Sequence, residues 1–231
     1  MLPAFRDARF GTERLAALGH VPRHRHRHAY AAVVLAGGYE EAGDGGRWRV
    51  SAGDVLVHAA MEAHQDHIGA RGCILVNVPL PAEPPEGGLF RLDDPDALVR
   101  LAERDGRAAL ARLLSGMRRG VAPLDDWPDL LARRLRGEDE ISIGRWAAEM
   151  GLAPESVSRG FRRAYGVSPR RYRLEARARR ALKLIVDPGL GLAAIAQDCG
   201  FADQPHLTRT LSSMTGRTPG QWRAARVNSV Q

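Results

Sequence analysis

Residues 192–223 of the chain read LAAIAQDCGFADQPHLTRTLSSMTGRTPGQWR. Apolar side chains at i, i+3, i+4 and i+7 mark one buried helical face: Leu192, Ile195, Ala196 and Cys199. Gly200 follows that face, where a helix ends on a residue that tolerates a positive φ. Asp203 can then cap a second helix. Two short helices joined by a tight turn that contains glycine predict a helix-turn-helix.

The second helix of this stretch has an apolar and a polar face. Its apolar positions, Leu207, Leu211 and Met214, are expected to face the first helix. The polar face carries side chains that can contact base edges and phosphates of DNA. These side chains are Gln204, His206, Thr208 and Arg209. We therefore predict that this helix binds in the major groove of DNA.

A third helix is predicted at the end of this stretch. Thr218 is a capping residue, Pro219 suits the first helical position, and Gln221 completes a reciprocal capping box. Trp222 then falls on the inner side of a short final helix. The whole stretch resembles the C-terminal signature of AraC-type transcription regulators. The resemblance rests on Ile195-Ala196, Cys199-Gly200-Phe201, Asp203, Leu207-Thr208-Arg209 and Gly216-x-Thr218-Pro219 with Trp222-Arg223.

A second helix-turn-helix precedes the first, so the region contains an internal repeat of about 50 residues. Ser142 can cap a helix whose inward side chains are expected to be Ile143, Trp146, Ala147 and Met150. A helix from Pro154 follows, with Val157, Phe161 and Tyr165 inward. Ala147 corresponds to Ala196, and Phe161 to Leu211. The resemblance covers this repeat too. The earlier repeat departs from the family pattern at Trp146, where the family more often has leucine. The later repeat departs from it at Pro205, where the family often has a polar side chain that contacts a base.

The polar face of this earlier helix suggests a division of roles. Ser158 and Arg159 are predicted to contact base edges, with Glu155 as a further contributor, because arginine can grip guanine and glutamate can accept from cytosine. Phosphate contacts are predicted for the other arginines, Arg162, Arg163, Arg170 and Arg171. Solvation of an exposed helix face is the alternative explanation for all of these side chains.

A long helix joins the two repeats. Ser168-Pro169 predicts its start, and Asp187-Pro188-Gly189 stops it after about Val186. Eighteen residues at 1.5 Å each span roughly 27 Å. Successive major grooves on one face of DNA are about 34 Å apart. This spacing therefore lets the two helices that are predicted to contact bases, which we call the reading helices, enter neighbouring grooves.

Length and charge agree with two domains of different kinds. The chain has 231 residues, 44% of them hydrophobic, and a net charge of +7. Residues 143–231 hold 15 Lys+Arg against 6 Asp+Glu, whereas the rest of the chain holds 19 against 21. The excess positive charge therefore lies in the predicted DNA-binding region. We expect no membrane span and no secretory signal, and hence a cytoplasmic protein, which two cysteines in apolar segments also fit.

The N-terminal region has short β-type runs separated by Gly, Asp and Pro, which is typical of a small barrel or sandwich. Its runs are 30–35, 47–50, 54–57 and 73–78. The order of its pieces resembles a cupin-like sensor domain: a His-x-His run, a Gly37-Gly38 turn, then Gly53 with His64 eleven residues later. The resemblance implies a pocket that binds a small effector.

Several histidines are candidates for a site in this region. His24, His26 and His28 alternate along a predicted strand and would share one face, and His64 and His67 can approach from the other cupin segment. Converging imidazoles can bind Zn²⁺, Fe²⁺ or Ni²⁺. His24, His26 and His64 are thus the candidate ligands of a divalent transition metal. A polar pocket without metal is the alternative, since Tyr30, Ala31 and Ala32 stand where a cupin usually has its metal-binding glutamate. For the effector pocket we predict His28, Tyr30 and His67.

The middle region reads as a proline-rich linker followed by helices. Asp94-Pro95 predicts the start of a helix that runs to about Glu103, and a second helix carries the apolar residues Leu110, Leu113, Leu114 and Met117. In proteins of this type such helices often mediate dimerisation, so a homodimer is expected. A further helix over 126–136 would be the first of the DNA-binding domain.

Together these patterns predict an α+β chain: a small cupin-like β-barrel (1–82), a linker with helices (83–125) and an all-α tandem helix-turn-helix domain (126–231). The predicted function is that of an effector-sensing transcription regulator, not an enzyme, which binds double-stranded DNA and, by family resemblance, RNA polymerase. The alternatives are a cupin-type metal-dependent enzyme that uses the N-terminal histidines, and an adaptor protein that does not bind DNA.

Overall fold

A computed structural model describes residues 5–6, 10–81, 87–137 and 141–227. It divides into two compact units, the first built mainly from residues before Leu130 and the second mainly from residues after Asp129. The first unit is a mainly antiparallel β-sheet with two helices, and the second is helical. The predicted α+β class is thus confirmed. No helix among the described residues is long and apolar enough to span a membrane.

The strands of the first unit form one sheet, in the order β1-β3-β7-β4-β6-β8-β9, with β2 paired to β7 and β5 to β4. In chain order the described strands are β1 (Phe5–Arg6), β2 (Gly11–Leu15), β3 (His20–His26), β4 (Tyr30–Gly43), β5 (Arg47–Ser51), β6 (Asp54–His58), β7 (Ala63–Pro79), β8 (Gly88–Arg91) and β9 (Arg118–Arg119).

Two long strands, β4 and β7, organise this sheet and differ from what the sequence predicts. The expected turn at Gly37-Gly38 is a bulge inside β4, where the register to β7 shifts. Gly37 has a φ of +70°, and a Cβ there would lie 1.9 Å from the carbonyl oxygen of Gly72. Only glycine fits this close approach of two backbones. Because β4 continues past the bulge, Glu41 joins the sheet.

The described helices lie downstream of β8 in the chain. They are α1 (Pro95–Ala102), α2 (Gly106–Gly116), α3 (Trp127–Arg136), α4 (Ile143–Glu149), α5 (Pro154–Tyr165), α6 (Pro169–Ile185), α7 (Leu192–Asp198), α8 (Gln204–Thr215) and α9 (Pro219–Val227). The predicted caps are present, since Asp94, Ser142, Ser168 and Asp203 each accept a hydrogen bond from a backbone N–H of the first turn.

The middle region belongs to the first unit. Leu98 of α1 and Leu113 of α2 are buried in one cluster with Val33 and Val76 of the sheet. β8, which follows the expected linker, pairs with β6. The sheet domain therefore continues beyond the expected boundary at residue 82, because the helices cover an apolar face of the sheet that would otherwise be exposed. Residues 82–86 of that linker lie outside the described residues.

The second unit has its own core. Ile195, Ala196, Leu207 and Leu211 pack together with Ile185 at the end of α6. Leu131, Ala132 and Leu135 of α3 are also buried. This core positions α7 and α8 against the C-terminal half of α6.

Candidate functional site

Helix α8 is held by its apolar face and presents a polar one. Asp203 Oδ1 accepts a hydrogen bond of 2.6 Å from the backbone N–H of His206, which fixes the start of the helix. The turn before it contains Gly200 at a φ of +72°. On the helix, Gln204 and Arg209 are exposed, whereas Thr208 is half-buried. The polar face that the sequence predicts is thus open to a ligand.

His206 has a second role in the fold. Its ring lies edge-on to the ring of Phe201, with centroids 5.2 Å apart, and it is half-buried. The aromatic contact tethers the start of α8 to the preceding turn. His206 is therefore less available for a base contact than Gln204 or Arg209.

Helix α5 has the same construction as α8. Both helices have 12 residues, and they begin 50 residues apart. The buried residues Val157, Phe161 and Tyr165 of α5 correspond to Leu207, Leu211 and Thr215 of α8 at that offset. Arg159 then corresponds to Arg209, and both are exposed. The predicted contact residues of α5 are all exposed: Glu155, Ser158, Arg159, Arg162 and Arg163.

Helix α6 joins the cores of both repeats. The ring of Tyr172 lies edge-on to that of Phe161, at 5.4 Å between centroids, and thereby packs on the first repeat. Ala178, Ala181 and Ile185 lie in the core of the second repeat. Its 17 residues give a length of about 25 Å. A helix packed at both ends fixes the two repeats relative to each other.

The first turn of α6 supplies further basic groups. Arg170 is exposed. Arg171 Nε donates to Glu175 Oε1 at 2.7 Å, so its charge is already paired within the helix. Of the two, the side chain of Arg170 is therefore the more accessible.

One residue predicted to face the core of this region is exposed. Met150 is 39% exposed. The preceding helix, α4, ends at Glu149, so Met150 lies in the turn after it. The helical periodicity that predicts an inward side chain therefore does not apply to Met150. Gly151 follows with a φ of +67°.

The first unit contains a buried cluster of histidines that the strand register brings together. His24 of β3 lies opposite His64 of β7. Glu41 of β4 pairs with Asp66 of β7, and Tyr30 of β4 pairs with His58 of β6. Four neighbouring strands thus each contribute at least one polar side chain to the same interior position.

Polar atoms of this cluster lie at distances that suit hydrogen bonds or the shared coordination of a metal ion. The Nε2 atoms of His24 and His26 are 2.9 Å apart, and Nδ1 of His24 contacts the carbonyl oxygen of Pro22 at 3.0 Å. Nε2 of His64 is 3.0 Å from the hydroxyl of Tyr30. The three predicted metal ligands, His24, His26 and His64, are close enough to hold one ion.

Charges of opposite sign meet at His64. Its Nδ1 lies 3.0 Å from Asp66 Oδ1 and 3.1 Å from Glu41 Oε2. Burial alone would lower the pKa of His64, but the charges of Glu41 and then Asp66 raise it to about 10. Burial raises the pKa of Glu41 to about 7, although His64 opposes the shift. Burial, followed by the charge of His64, lowers the pKa of His58. The cluster therefore favours a positive charge at His64.

A cavity of about 320 Å³ opens beside the cluster. Tyr30 lines it, as predicted for the effector pocket, together with His24, His26 and His64. The other two predicted pocket residues do not line it. His28 lies beyond the end of β3, which stops at His26, and is exposed. His67 points away from the interior and stacks on His20 at 4.6 Å, because neighbouring positions of β7 alternate between the two faces of the sheet.

Comparison with known proteins gives matches to the C-terminal region. A helix-turn-helix domain family matches residues 146–225. Residues 146–225 form an AraC-type helix-turn-helix domain. The arabinose operon regulatory protein of Escherichia coli K12 is 28% identical over 96 residues, which is 40% of this chain and 33% of that protein. The virulence regulon transcriptional activator VirF of Yersinia enterocolitica is 28% identical over 85 residues, or 37% of this chain and 31% of that protein.

The AraC-type domain also has relatives among solved structures. The AraC-type transcriptional regulator of Chromobacterium violaceum is 28% identical, with a TM-score of 0.39, over 42% of this chain and 88% of that one. The matched part of this chain spans about a third of the length of the curated relatives.

Sequence reasoning found the exposed residues of the AraC-type domain but missed part of the buried cluster in the preceding unit. Glu41, His58 and Asp66 were not predicted as site residues. Glu41 lies beyond the bulge in β4, where the sequence suggests that the strand has already ended. Asp66 lies two residues after His64 on β7, and His58 is the last residue of β6, but only the register shows that they converge.

Proposed function

We propose that this chain is a sequence-specific DNA-binding transcription regulator. The main support for this function is the likeness of α5 and α8. The two helices are equally long, bury equivalent positions and expose an arginine at the same position. A single exposed arginine is a common surface feature, whereas a matched pair on two helix-turn-helix units indicates two reading helices. The AraC-type domain supports the same conclusion.

The proposed roles follow from the chemistry of the exposed side chains. Arg159 and Arg209 would bind guanine through its O6 and N7 atoms, and Gln204 can pair with adenine. Ser158 and Thr208 supply adaptable hydrogen bonds, and Glu155 can accept from cytosine. Arginines at the margins would bind phosphates and set the register on the duplex: Arg162, Arg163 and Arg170.

The first unit is proposed to sense a small effector. The cavity beside Tyr30 has a volume of about 320 Å³ and a polar lining, which suits a small polar molecule.

We further propose that the protein acts as a homodimer and contacts RNA polymerase. The half-exposed Leu114 of α2 supports a protein contact on that helix, since it is 51% exposed among otherwise packed leucines.

A second candidate function is metal-dependent catalysis in the first unit. The convergence of His24, His26 and His64 favours it, since three imidazoles can hold an ion and leave a position open for a substrate. Turnover of small organic substrates by the purified, metal-loaded protein would support this function.

The proposed function is tested by selection of bound duplexes from a random DNA pool. We expect enrichment of a site that contains two conserved motifs. The matched control is the double variant with Arg159→Ala and Arg209→Ala, which should enrich no site while it keeps its far-UV circular dichroism spectrum. Absence of enrichment by the wild-type protein, or equal enrichment by both proteins, would refute sequence-specific binding.

A further inference from the structure

Two residues outside the predicted metal triad complete a second group around His64. Glu41 Oε2 is 3.1 Å from His64 Nδ1 and 3.5 Å from His58 Nε2. All three residues are buried and can share one ion. They come from β4, β6 and β7, which are hydrogen-bonded neighbours in the sheet. The arrangement is therefore fixed by the strands and not by a loop.

Two of these buried atoms lack a hydrogen bond. Glu41 is 3% exposed and His58 is 4% exposed. Neither Glu41 Oε2 nor His58 Nε2 has a hydrogen-bond partner within the described part of the chain. Leaving a buried polar atom without a partner costs about 1–3 kcal/mol, and more for a charged group. The two atoms lie 3.5 Å apart, and a cation held between them and His64 Nδ1 would give each of them a partner.

We propose that Glu41, His58 and His64 bind a divalent transition-metal ion. Two ligand atoms that are each about 2.1 Å from one ion, at angles of about 90° to 110°, lie roughly 3.0 to 3.5 Å apart. The measured separations of 3.1 Å and 3.5 Å from Glu41 Oε2 fall in this range. The carboxylate oxygen of Glu41 is thus at a suitable distance from both imidazole nitrogens to share one ion with them.

The donor set specifies the class of ion. Two imidazoles and one carboxylate suit Zn²⁺, Fe²⁺, Ni²⁺ or Co²⁺, whereas Ca²⁺ and Mg²⁺ prefer sites made of oxygen atoms. Asp66 Oδ1 lies 3.0 Å from His64 Nδ1, and Glu62 Oε2 lies 3.8 Å from His58 Nδ1. Glu62 faces the ring nitrogen of His58 that would not bind the ion, as outer carboxylates do in many metal sites. Asp66 instead lies beside the ring nitrogen of His64 that would bind the ion, so its carboxylate can serve as a further ligand.

The position of the proposed ion gives it access to small molecules. The cavity of about 320 Å³ lies on one side, and a second cavity of about 200 Å³, which His58 lines, lies on the other. Glu41 and His64 are the two residues that line both cavities. An ion bound to them can therefore take a further ligand from either cavity.

The test is a titration of the full chain with Co²⁺ after removal of metals by a chelator, followed by visible absorption and calorimetry. We expect about one equivalent of Co²⁺ to bind, with the absorption bands of a site that contains nitrogen ligands. Glu41→Gln and His58→Gln should each weaken binding ~10-fold or more, because each replaces a strong ligand by a neutral amide, which binds transition metals weakly. His67→Gln is the matched control, since His67 is exposed on the same strand as His64 and lines neither cavity.

Failure of the wild-type protein to bind Co²⁺ would overturn the proposal, as would equal affinity in all four proteins. The second result would leave His24, His26 and His64 as the ligands. If a variant loses its circular dichroism spectrum, X-ray absorption of the Co²⁺-loaded wild-type protein decides: imidazole scattering with a carboxylate oxygen supports the proposal, and an all-imidazole shell contradicts it. None of these measurements involves DNA, so their outcome is independent of the proposed regulatory function.

Discussion

At the scale of single residues, Arg159 and Arg209 are the most informative positions. They are exposed at the same place of two equal helices, with buried neighbours on the opposite face. An arginine so placed can form two parallel hydrogen bonds with a guanine and thereby distinguish it from the other bases. A residue that contacts only phosphate gives no such discrimination.

We predict that Arg159→Ala weakens binding to the selected site by about 1–3 kcal/mol and relaxes the preference at one base pair. Fluorescence anisotropy with the selected site, its single-base variants and a random duplex measures both effects. An equal loss of affinity for the selected and the random duplex would identify Arg159 as a phosphate contact instead.

The sequence predicts some of these residues and not others for a physical reason. On a helix, exposure follows from local periodicity, so Arg159 and Arg209 could be identified from their spacing to buried neighbours. The buried cluster depends on pairing between strands that are distant in the chain. Glu41 approaches His58 and His64 only through the register of β4 with β6 and β7, which no local pattern specifies.

At the scale of elements, helix α8, a proposed reading helix, depends on its N-terminal cap. Asp203 Oδ1 accepts a hydrogen bond from the backbone N–H of His206. The negative carboxylate also interacts favourably with the positive end of the helix dipole. The same helix is closed by Gly216, which has a φ of +73° and donates its N–H to the carbonyl of Ser212. Both ends of α8 are therefore defined by short-range interactions.

We predict that Asp203→Ala destabilises the start of α8 by about 1 kcal/mol. Amide hydrogen exchange in the first turn of α8 should then become about fivefold faster. Asp203→Asn is the control, because asparagine caps as well as aspartate. If the two variants exchange at the same raised rate, the hydrogen bond is not what holds the helix start.

Helices and strands differ in how far their bounds follow from the sequence. The caps at Ser142, Ser168 and Asp203 are predicted and confirmed, because a cap is decided by residues within one turn. The full length of β4 and β7 is not predicted, since glycines normally mark turns. At Gly37 the glycine instead admits a neighbouring backbone, and the strand continues.

At the scale of the whole molecule, charge is divided along the chain. Residues 143–231 carry 15 basic against 6 acidic residues, and the remainder is nearly balanced. A basic domain that binds DNA releases counterions from it, so affinity falls as the salt concentration rises. The number of phosphate contacts sets the steepness of that fall.

We predict that Arg162→Ala lowers the slope of log affinity against log salt concentration by about one. Arg159→Ala should change the slope less, because its predicted partner is a base. Binding isotherms over a series of salt concentrations, with one duplex throughout, measure the two slopes. Identical slopes for Arg162→Ala and the wild-type protein would show that Arg162 does not contact phosphate.

The proposed reading helices α5 and α8 are joined by a rigid connection. Helix α6, about 25 Å long, is packed into both repeats, so the protein cannot adjust the distance between α5 and α8. The most direct test is to insert about five base pairs, half a turn of DNA, between the two motifs of the selected site. We predict that affinity falls to that of a duplex with one motif. An unchanged affinity for the lengthened site would show that α6 does not fix the spacing of the two helices.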